Sequence, residues 1–310
     1  MVPVFSARHV EAAVPPARAY EAVRAAFVAH ARGDWAMQPK LYVTNYRAGD
    51  FRAMPALGGG HALLKWVTSF PGNPAHGLPT VSGLVILSSA ETGVVEAVLE
   101  AGAVTALRTG AAAALAAETL GVPGGSAAVV GAGVNGRASA RSLKTMGRDV
   151  ALWDVDGERA RSVASELGVG IAASLEAALR ADVVVTVTPG KQILLPEGSL
   201  RRGQHVSLMG ADGPGKAEIA VEEITRSSVF CDEWEQASHG GELAAAVQAG
   251  VLARDDVTEL GAVLLGEAAG RQSEDEITIF DSTGLAIQDL AIAVAAFERA
   301  TELDLPQLDL

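Results

Sequence analysis

Three glycines at a fixed spacing, followed by an acidic residue, are the first part of this sequence that could carry chemistry. Gly131, Gly133 and Gly136 follow an apolar run, and a helical segment and a second apolar run then lead to Asp154. In a strand–turn–helix unit the first glycine permits the turn, the second leaves room for phosphate, and the third lets the helix close onto the sheet. This order predicts a site for the pyrophosphate of a dinucleotide.

Asp154 indicates which dinucleotide is expected. An acidic residue at the end of the second strand accepts hydrogen bonds from the adenosine ribose hydroxyls. A 2′-phosphate at the same place would meet its negative charge. The sequence therefore favours NAD(H) over NADP(H).

The elements that must position these residues fall into two patterns. Between residues 40 and 99, strand-like runs follow one another with turns between them, which predicts an antiparallel or mixed sheet. After residue 125, apolar strands alternate with helical segments, which is typical of a parallel sheet. The fold class expected is α/β, with a Rossmann-type doubly wound domain and a separate α+β domain.

Composition limits the classes of protein that need to be considered. The chain has 310 residues, 49% of them hydrophobic, with a formal net charge of −13. No basic stripe offsets this charge, so nucleic acid is not an expected partner. No apolar run approaches the length that spans a membrane, and the N-terminal segment does not resemble a leader. A cytoplasmic protein is expected, with the single cysteine, Cys231, as a buried structural thiol.

Several short motifs resemble those of the ornithine cyclodeaminase/μ-crystallin family. They include Leu64-Lys-Trp-Val67, Gly77-Leu-Pro-Thr80, Leu107-Arg-Thr-Gly110, Gly210-Ala-Asp-Gly-Pro-Gly-Lys216 and Phe280-Asp-Ser-Thr-Gly284. The resemblance covers nearly the whole chain. It implies a homodimer, a substrate-binding and dimerisation domain formed by residues 1–118 with 285–310, and an NAD-binding domain formed by residues 119–284.

The resemblance also implies roles for individual residues. Lys65 matches the active-site lysine, which lies near the substrate carboxylate and the reacting nitrogen. Asp212 matches the acid/base carboxylate beside the nicotinamide, although Ala-Asp-Gly-Pro is also a common turn sequence. Arg108 matches a residue near the cofactor phosphate and the substrate, with a surface ion pair as the alternative.

Two positions bear on the substrate. Arg52 lies thirteen residues before Lys65, as does the carboxylate-binding arginine of archaeal-type alanine dehydrogenases, which the site pattern resembles most. Ornithine cyclodeaminases carry a glutamate there, and an arginine would repel the second ammonium of ornithine. Lys40 stands where many relatives have an arginine, so it supplies only a point charge to the substrate. Thr283 is a further expected substrate contact.

The remaining expected contacts are to the cofactor, and no metal ligands are expected. Thr188 follows an apolar strand, where ligands of open α/β sheets bind. Ser282 lies in a turn before a helix and could have only a structural role. The full set of expected cofactor contacts is Thr80, Arg108, Thr109, Gly131, Gly133, Val134, Asn135, Gly136, Asp154, Thr188, Met209, Gly210, Lys216 and Ser282.

The leading hypothesis is an NAD-dependent amino-acid dehydrogenase or imine (ketimine) reductase. Its substrate would be a small amino acid, 2-oxo acid or cyclic imine, with alanine and pyruvate as the simplest pair. One alternative is an ornithine cyclodeaminase, which forms proline and ammonia and uses NAD catalytically. A second alternative is a non-catalytic, μ-crystallin-like protein that binds NAD(P)H and a ligand.

Overall fold

The computed structural model describes residues 1–45, 47–190, 192–211, 213 and 215–310. These residues form two compact units, one of residues 1–108 with 285–310 and one of residues 109–284. The division lies inside helix α3 (Ala101–Leu120), earlier than the predicted division at 118/119. The reason is close packing: a Cβ at Gly110 would lie 2.6 Å from the carbonyl oxygen of Ala138, so this half of α3 packs against the second unit.

The first unit is built on a mixed sheet. Its strands run in the order β16-β1-β7-β6-β5-β4-β2, and β3 pairs with β4. Strand β1 is parallel to β7, and the pairs from β4 to β7 are antiparallel. The strands are β1 (Val2–Phe5), β2 (Ala36–Met37), β3 (Leu41–Asn45), β4 (Gly49–Gly58), β5 (His61–Ser69), β6 (Val81–Ser89), β7 (Val95–Glu100) and β16 (Gln307–Leu308).

Alternation along β4, β5 and β6 gives this sheet a buried face and an outer face. On β5, Leu63 and Val67 are buried, while Leu64 and Trp66 are exposed. Helices α1 (Ala7–Ala13), α2 (Pro16–Ala31) and α11 (Ala286–Phe297) belong to this unit, and α11 packs on β4 and β5 and against α2. Pro16 begins α2, where a fixed φ and a missing N–H are tolerated.

The second unit is a parallel sheet in the order β10-β9-β8-β11-β12-β15-β13-β14. Its strands are β8 (Ala127–Val130), β9 (Val150–Trp153), β10 (Gly170–Ile171), β11 (Val183–Thr186), β12 (His205–Leu208), β13 (Ser228–Cys231), β14 (Val257–Glu259) and β15 (Thr278–Asp281). Its helices are α4 (Val134–Thr145), α5 (Gly157–Leu167), α6 (Leu175–Ala178), α7 (Val221–Thr225), α8 (Trp234–Gly240), α9 (Ala244–Gln248) and α10 (Leu260–Leu265). The strands are fully buried near the centre, because helices cover both faces of a doubly wound sheet.

The strand order of this second sheet reverses between β8 and β11. Chain progression runs outward from β8 toward β10 on one side and from β11 on the other. Ligands of open α/β sheets bind at the carboxyl ends of the strands at such a switch point. The predicted α/β class is confirmed, and the predicted glycine turn lies at this position. Among the described helices, none is both long enough and apolar enough to cross a membrane.

Candidate active site

Lys65 occupies an inward-facing position of the first sheet. It lies opposite Met54 on β4 and Val85 on β6, and both of these neighbours are buried. The side chain of Lys65 is itself almost fully buried, with 1% of the residue exposed. A lysine at a core position requires a partner, because an unpaired charge away from water is costly.

The partner of Lys65 comes from helix α11. Nζ of Lys65 donates a hydrogen bond to Oδ1 of Asp289 at 2.9 Å, and Asp289 has no exposed surface. Nε of Arg108 lies 3.5 Å from the same oxygen. Arg108 also donates from Nη1 to Oε1 of Gln288 at 3.5 Å. Two cations from different elements thus share one carboxylate.

Burial, together with the charges of Arg108 and Arg52, lowers the pKa of Lys65 from 10.5 to about 8, against the opposing effect of Asp289. A lysine with this pKa can hold or release a proton near neutral pH. Perturbed groups of this kind are common at catalytic sites. Lys65 therefore has the properties of an acid/base group or of a cation that binds an anion.

Arg52 lies on the same buried face, where its strand neighbour across β5 is Val67. Its guanidinium is held by the carboxylate of Asp50 and lies over the ring of Tyr42, with 5.3 Å from Cζ to the ring centroid. The side chain is 11% exposed. A planar guanidinium held in this way is suited to bind a carboxylate.

Two further predicted residues of the first unit lie at strand ends. Lys40 immediately precedes β3, and Thr80 immediately precedes β6; both are half-buried. The carbonyl oxygen of Thr80 accepts a hydrogen bond from the backbone of Phe70 at 2.8 Å. Their roles in substrate and cofactor binding stay predictions.

The glycine turn of the second unit has the geometry that a phosphate requires. Gly131 has φ +108°, and a Cβ there would lie 2.7 Å from the carbonyl oxygen of Val187. A Cβ at Gly136 would overlap the carbonyl oxygen of Gly131. At Gly133, by contrast, nothing lies within 4 Å of a Cβ position. The turn is closed around two glycines and open at the third, directly before the N-terminus of α4.

Asp154 follows β9, and its carboxylate is hydrogen-bonded to the backbone of the glycine turn. Its Oδ2 accepts a hydrogen bond from the backbone N–H of Ala132 at 2.6 Å, and its Oδ1 accepts one from Asp156 at 2.8 Å. Nη1 of Arg159 lies 3.8 Å from Oδ2. The carboxylate is therefore oriented at the turn, beside the carboxyl ends of β8 and β9.

Glu218 ties together two of the predicted cofactor positions. Its carboxylate accepts hydrogen bonds from the side chain and the backbone N–H of Thr188 and from Oγ1 of Thr186, the last at 2.6 Å. A Cβ at Gly210 would lie 2.6 Å from Oε2 of Glu218 and 2.5 Å from the carbonyl oxygen of Thr188. The buried carboxylate of Glu218 is thus hydrogen-bonded to the end of β11 and packs against Gly210, which follows β12.

A second carboxylate, Asp232, holds the turn after β15. Oγ of Ser282 and Oγ1 of Thr283 donate to it at 3.2 and 3.1 Å, and the backbone N–H of Gly284 donates at 2.8 Å. The hydroxyl hydrogens of both residues are therefore used within the protein.

Further buried carboxyl groups lie next to Glu218 and the turn after β15. Oε1 and Oε2 of Glu242 accept hydrogen bonds from the backbone N–H of Glu218 at 3.0 and 2.8 Å. Burial, together with repulsion from Glu218, raises the pKa of Glu242 to about 8. Burial also raises the pKa of Asp281, and repulsion from Glu242 adds to this effect. This group supports the carboxyl edge of the sheet.

The structure brings Arg52, Lys65 and Arg108 together in the first unit. In the second unit it places the glycine turn, Thr188, Met209, Gly210 and Ser282 after strands at one edge of the sheet. Thr109 is buried on α3, and its Oγ1 has no hydrogen-bond partner among the described residues. Val134 and Asn135 begin α4, with Val134 exposed, and Lys216 follows the Gly210 loop. Asp212 lies outside the described residues.

Sequence reasoning missed the carboxylates that contact these groups, namely Asp50, Glu218, Asp232 and Asp289. One signal was present for Asp289, because this acidic residue stands in the run Leu285–Phe297, which is otherwise apolar except for Gln288. An acidic residue in such a run requires a buried partner. The sequence did not indicate which cation is the partner of Asp289.

A doubly wound sheet with an open glycine turn at its switch point, and a unit with a buried lysine among arginines, define a dinucleotide-dependent enzyme of the α/β class. The family model of the ornithine cyclodeaminase/mu-crystallin family matches residues 3–304. The chain is 42% identical over 305 residues to the alanine dehydrogenase of Archaeoglobus fulgidus, covering 96% of this chain and 94% of that protein.

Solved structures agree with this match. An archaeal alanine dehydrogenase dimer with bound NAD has a TM-score of 0.92 and 40% identity, covering 97% of this chain and 96% of that chain. The iminosuccinate reductase of Paracoccus denitrificans in complex with NAD⁺ has a TM-score of 0.89 and 30% identity, covering 97% of both chains. The chain belongs to the ornithine cyclodeaminase/mu-crystallin family and is an enzyme of its NAD-dependent dehydrogenase, reductase and cyclodeaminase group. The family resemblance of the motifs is confirmed.

Proposed function

We propose that this enzyme is an NAD-dependent amino-acid dehydrogenase or imine reductase that acts at the α-carbon of a small amino or 2-oxo acid. Alanine with pyruvate is the simplest substrate pair. The observation that carries the proposal is the buried group of three cations, of which Lys65 and Arg108 share the carboxylate of Asp289 and Arg52 acts on the charge of Lys65. Within a protein of net charge −13, this group is a local site for an anion.

Each cation has a part suited to its geometry. Arg52 presents a fixed guanidinium, which binds the two oxygens of a carboxylate. Lys65 carries a proton that it can release near neutral pH, so it polarises the C=O or C=N bond and exchanges a proton with the substrate. Asp212 is proposed as the second acid/base group. Lys40 and Thr283 are proposed as further substrate contacts.

The second unit fits NAD(H). Open space at Gly133, the left-handed conformation of Gly131 and the N-terminus of α4 suit a pyrophosphate. Thr109 adds a buried hydroxyl without a partner among the described residues. Bound NAD(H) supplies or accepts the hydride at the α-carbon. Asp154, oriented at the turn, would accept hydrogen bonds from the ribose hydroxyls and repel a 2′-phosphate, so we propose a preference for NAD(H) over NADP(H).

The proposal is tested by a substrate panel followed at the absorbance of NADH. Reductive amination of pyruvate, or reduction of a cyclic imine, should consume NADH. Replacement of Lys65 by alanine should lower turnover by orders of magnitude and leave NADH binding largely intact, because the lysine lies in the unit that lacks the glycine turn. Wild-type-like turnover of the Lys65→Ala and Asp212→Asn variants would rule out the proposed roles.

Ornithine cyclodeamination is a second candidate that the same experiment resolves. Ornithine carries a second ammonium group, and the positively charged Arg52 is held on the buried face of the first sheet. Like charges in a poorly hydrated site disfavour binding. Formation of proline and ammonia from ornithine without a net change in NADH would identify the cyclodeaminase. Net NADH consumption with pyruvate would identify the dehydrogenase.

We also propose that the enzyme is a homodimer that uses the outer face of the first sheet. On this face Leu64 lies opposite Ile86, and Trp66 lies opposite Leu84. All four are exposed, by 36–52%. A contiguous apolar surface of this kind is typical of a protein interface. A second copy of the chain is the proposed occupant, since a solved relative with 40% identity is a dimer.

A further inference from the structure

Asp289 is a buried carboxylate that the proposed function leaves without a role. It lies in the first turn of α11, the helix that packs on β4 and β5. It has no exposed surface, and the rest of the helix from Ala286 to Ala296 is apolar except for Gln288. A carboxylate here benefits from the positive end of the helix. That benefit alone does not offset the cost of burying a charge.

The contacts of Asp289 are asymmetric. Oδ1 accepts a hydrogen bond from Nζ of Lys65 at 2.9 Å and lies 3.5 Å from Nε of Arg108. Oδ2 is buried and has no hydrogen-bond partner among the described residues. The neighbouring Gln288 accepts from the backbone N–H of Leu285 at 3.2 Å and from Arg108 at 3.5 Å. The first turn of α11 is therefore directed at two cations of the site.

Within the part of the chain that the structure describes, the charges that act on Lys65 come from three elements. Arg52 on β4 and Arg108 on α3 are positive, and Asp289 on α11 is negative; across the sheet, Met54 and Val85 are apolar. Without the carboxylate, Lys65 would stand in an apolar position between two guanidinium groups. It would then release its proton or leave its place.

We propose that Asp289 is the positioning residue of Lys65, which fixes the ammonium on the inward face of β5 and keeps it charged when a substrate binds. The inference rests on the proposed role of Lys65 in binding and protonating the substrate. An ammonium group has three N–H donors. Among the described residues one donor is used by Asp289, which leaves two for the oxygen atoms of a substrate carboxylate and carbonyl.

The first test needs no substrate. The free energy of unfolding is measured by urea denaturation from pH 6 to pH 11 for the wild type, Lys65→Met, Asp289→Asn and the double variant. The pKa of Lys65 in the native protein, about 8, is lower than its usual value of 10.5. As the pH rises between these values the unfolded state holds more protons, so the stability of the wild type increases there.

In Asp289→Asn we expect this increase to begin at least one pH unit lower, because the asparagine keeps the shape and loses the charge. Lys65→Met and the double variant should both lack it. An onset that stays at the wild-type pH in Asp289→Asn would overturn the proposal. A role of Asp289 in packing alone would not move the onset.

If the Asp289→Asn variant fails to fold, the proposal can still be tested by replacing both residues of the Lys65–Asp289 pair. A buried ion pair exchanged for apolar residues is often tolerated, whereas removal of one partner is strongly destabilising. If Asp289→Asn does not fold, a folded Lys65→Met/Asp289→Leu variant would support the proposal. Failure of that double variant as well would overturn it, since the carboxylate would then serve something other than Lys65.

The second test uses turnover with pyruvate, ammonium and NADH. The alkaline limb of the kcat/KM profile should move to lower pH in Asp289→Asn, and lowering the pH should restore part of the loss at pH 8. A loss that is equal at every pH would overturn the positioning role. If the unfolding profile shifts as expected but the wild type turns over no member of the substrate panel, the proposed function fails while the Lys65–Asp289 coupling is supported.

Discussion

The guanidinium of Arg52 is held by the carboxylate of Asp50, two residues earlier on the same strand. Nε donates to Oδ1 at 2.5 Å, and Nη2 donates to Oδ2 at 3.2 Å. The guanidinium also lies over the ring of Tyr42, with 5.3 Å from Cζ to the ring centroid. The orientation of the fork is thus set before a substrate binds, which lowers the entropy cost of gripping a carboxylate.

Replacement of Arg52 by lysine should therefore weaken substrate binding while the charge is kept. A lysine cannot present two parallel donors, and a charge-assisted hydrogen bond contributes about 1.5–3 kcal/mol. The KM for pyruvate should rise by about 10- to 100-fold, and the Kd for NADH should not change. The matched control is Arg180→Lys, at an exposed arginine paired with Glu176. An unchanged KM would remove Arg52 from the substrate site.

Substitutions at Gly136 and Gly133 should separate the effects of the turn on folding and on cofactor binding. Alanine at Gly136 would overlap the carbonyl oxygen of Gly131, so Gly136→Ala should lower the melting temperature. Alanine at Gly133 meets nothing within 4 Å, and φ is −71°, which any residue adopts. Gly133→Ala should keep the wild-type stability and bind NADH at least tenfold more weakly, measured by nucleotide fluorescence. Equal NADH affinity in Gly133→Ala would show that phosphate does not approach this position.

Asp154 should decide between the two nicotinamide cofactors. Asp154→Ser removes the negative charge and leaves a nearby cation, since Arg159 lies 3.8 Å from the carboxylate. The Kd for NADH should rise and the Kd for NADPH should fall, so that the ratio changes by about 100-fold, or about 2.8 kcal/mol. Arg159→Gln in the Asp154→Ser background should reverse the gain for NADPH. A ratio that does not respond to Asp154→Ser would contradict the preference proposed for NAD(H).

Glu242 should make the protein less stable as the pH rises from about 4.5 to about 8. Its pKa in the native protein is about 8, against the usual 4.5, so the native state keeps a proton that the unfolded state has lost. Each unit of difference corresponds to about 1.4 kcal/mol, and the stability it contributes is lost by pH 8. Urea denaturation of Glu242→Gln should show a flatter pH profile over this range, with the slope due to Asp281 remaining. A profile parallel to that of the wild type would contradict the raised pKa.

The outer face of the first sheet should be required for the dimer. Trp66→Glu places a charge opposite Leu84, in the centre of the apolar rows. We expect this variant to be a monomer by light scattering at concentrations where the wild type is a dimer. Val155→Glu, at a residue that is 90% exposed in the second unit, is the matched control and should stay dimeric. A dimeric Trp66→Glu variant would place the interface elsewhere.

Much of the fold could be predicted from local patterns. Strands β4 to β7 alternate between buried and exposed residues over six to ten positions, and the central parallel strands are continuous apolar runs. Short strands such as β10 and β16, of two residues each, carry no such signal. They exist only because a neighbouring strand supplies their hydrogen bonds.

The sequence by itself determined the parts of the site whose chemistry is local. The glycine turn and Asp154 lie within one strand–turn–helix–strand unit, so their spacing along the chain fixes their spacing in space. Motif resemblance added Arg52, Lys65 and Arg108. The tertiary structure decided how these cations are held, because Asp289 lies 224 residues after Lys65. Contacts between positions so far apart depend on how a helix packs on a sheet, and that packing is set by the whole core.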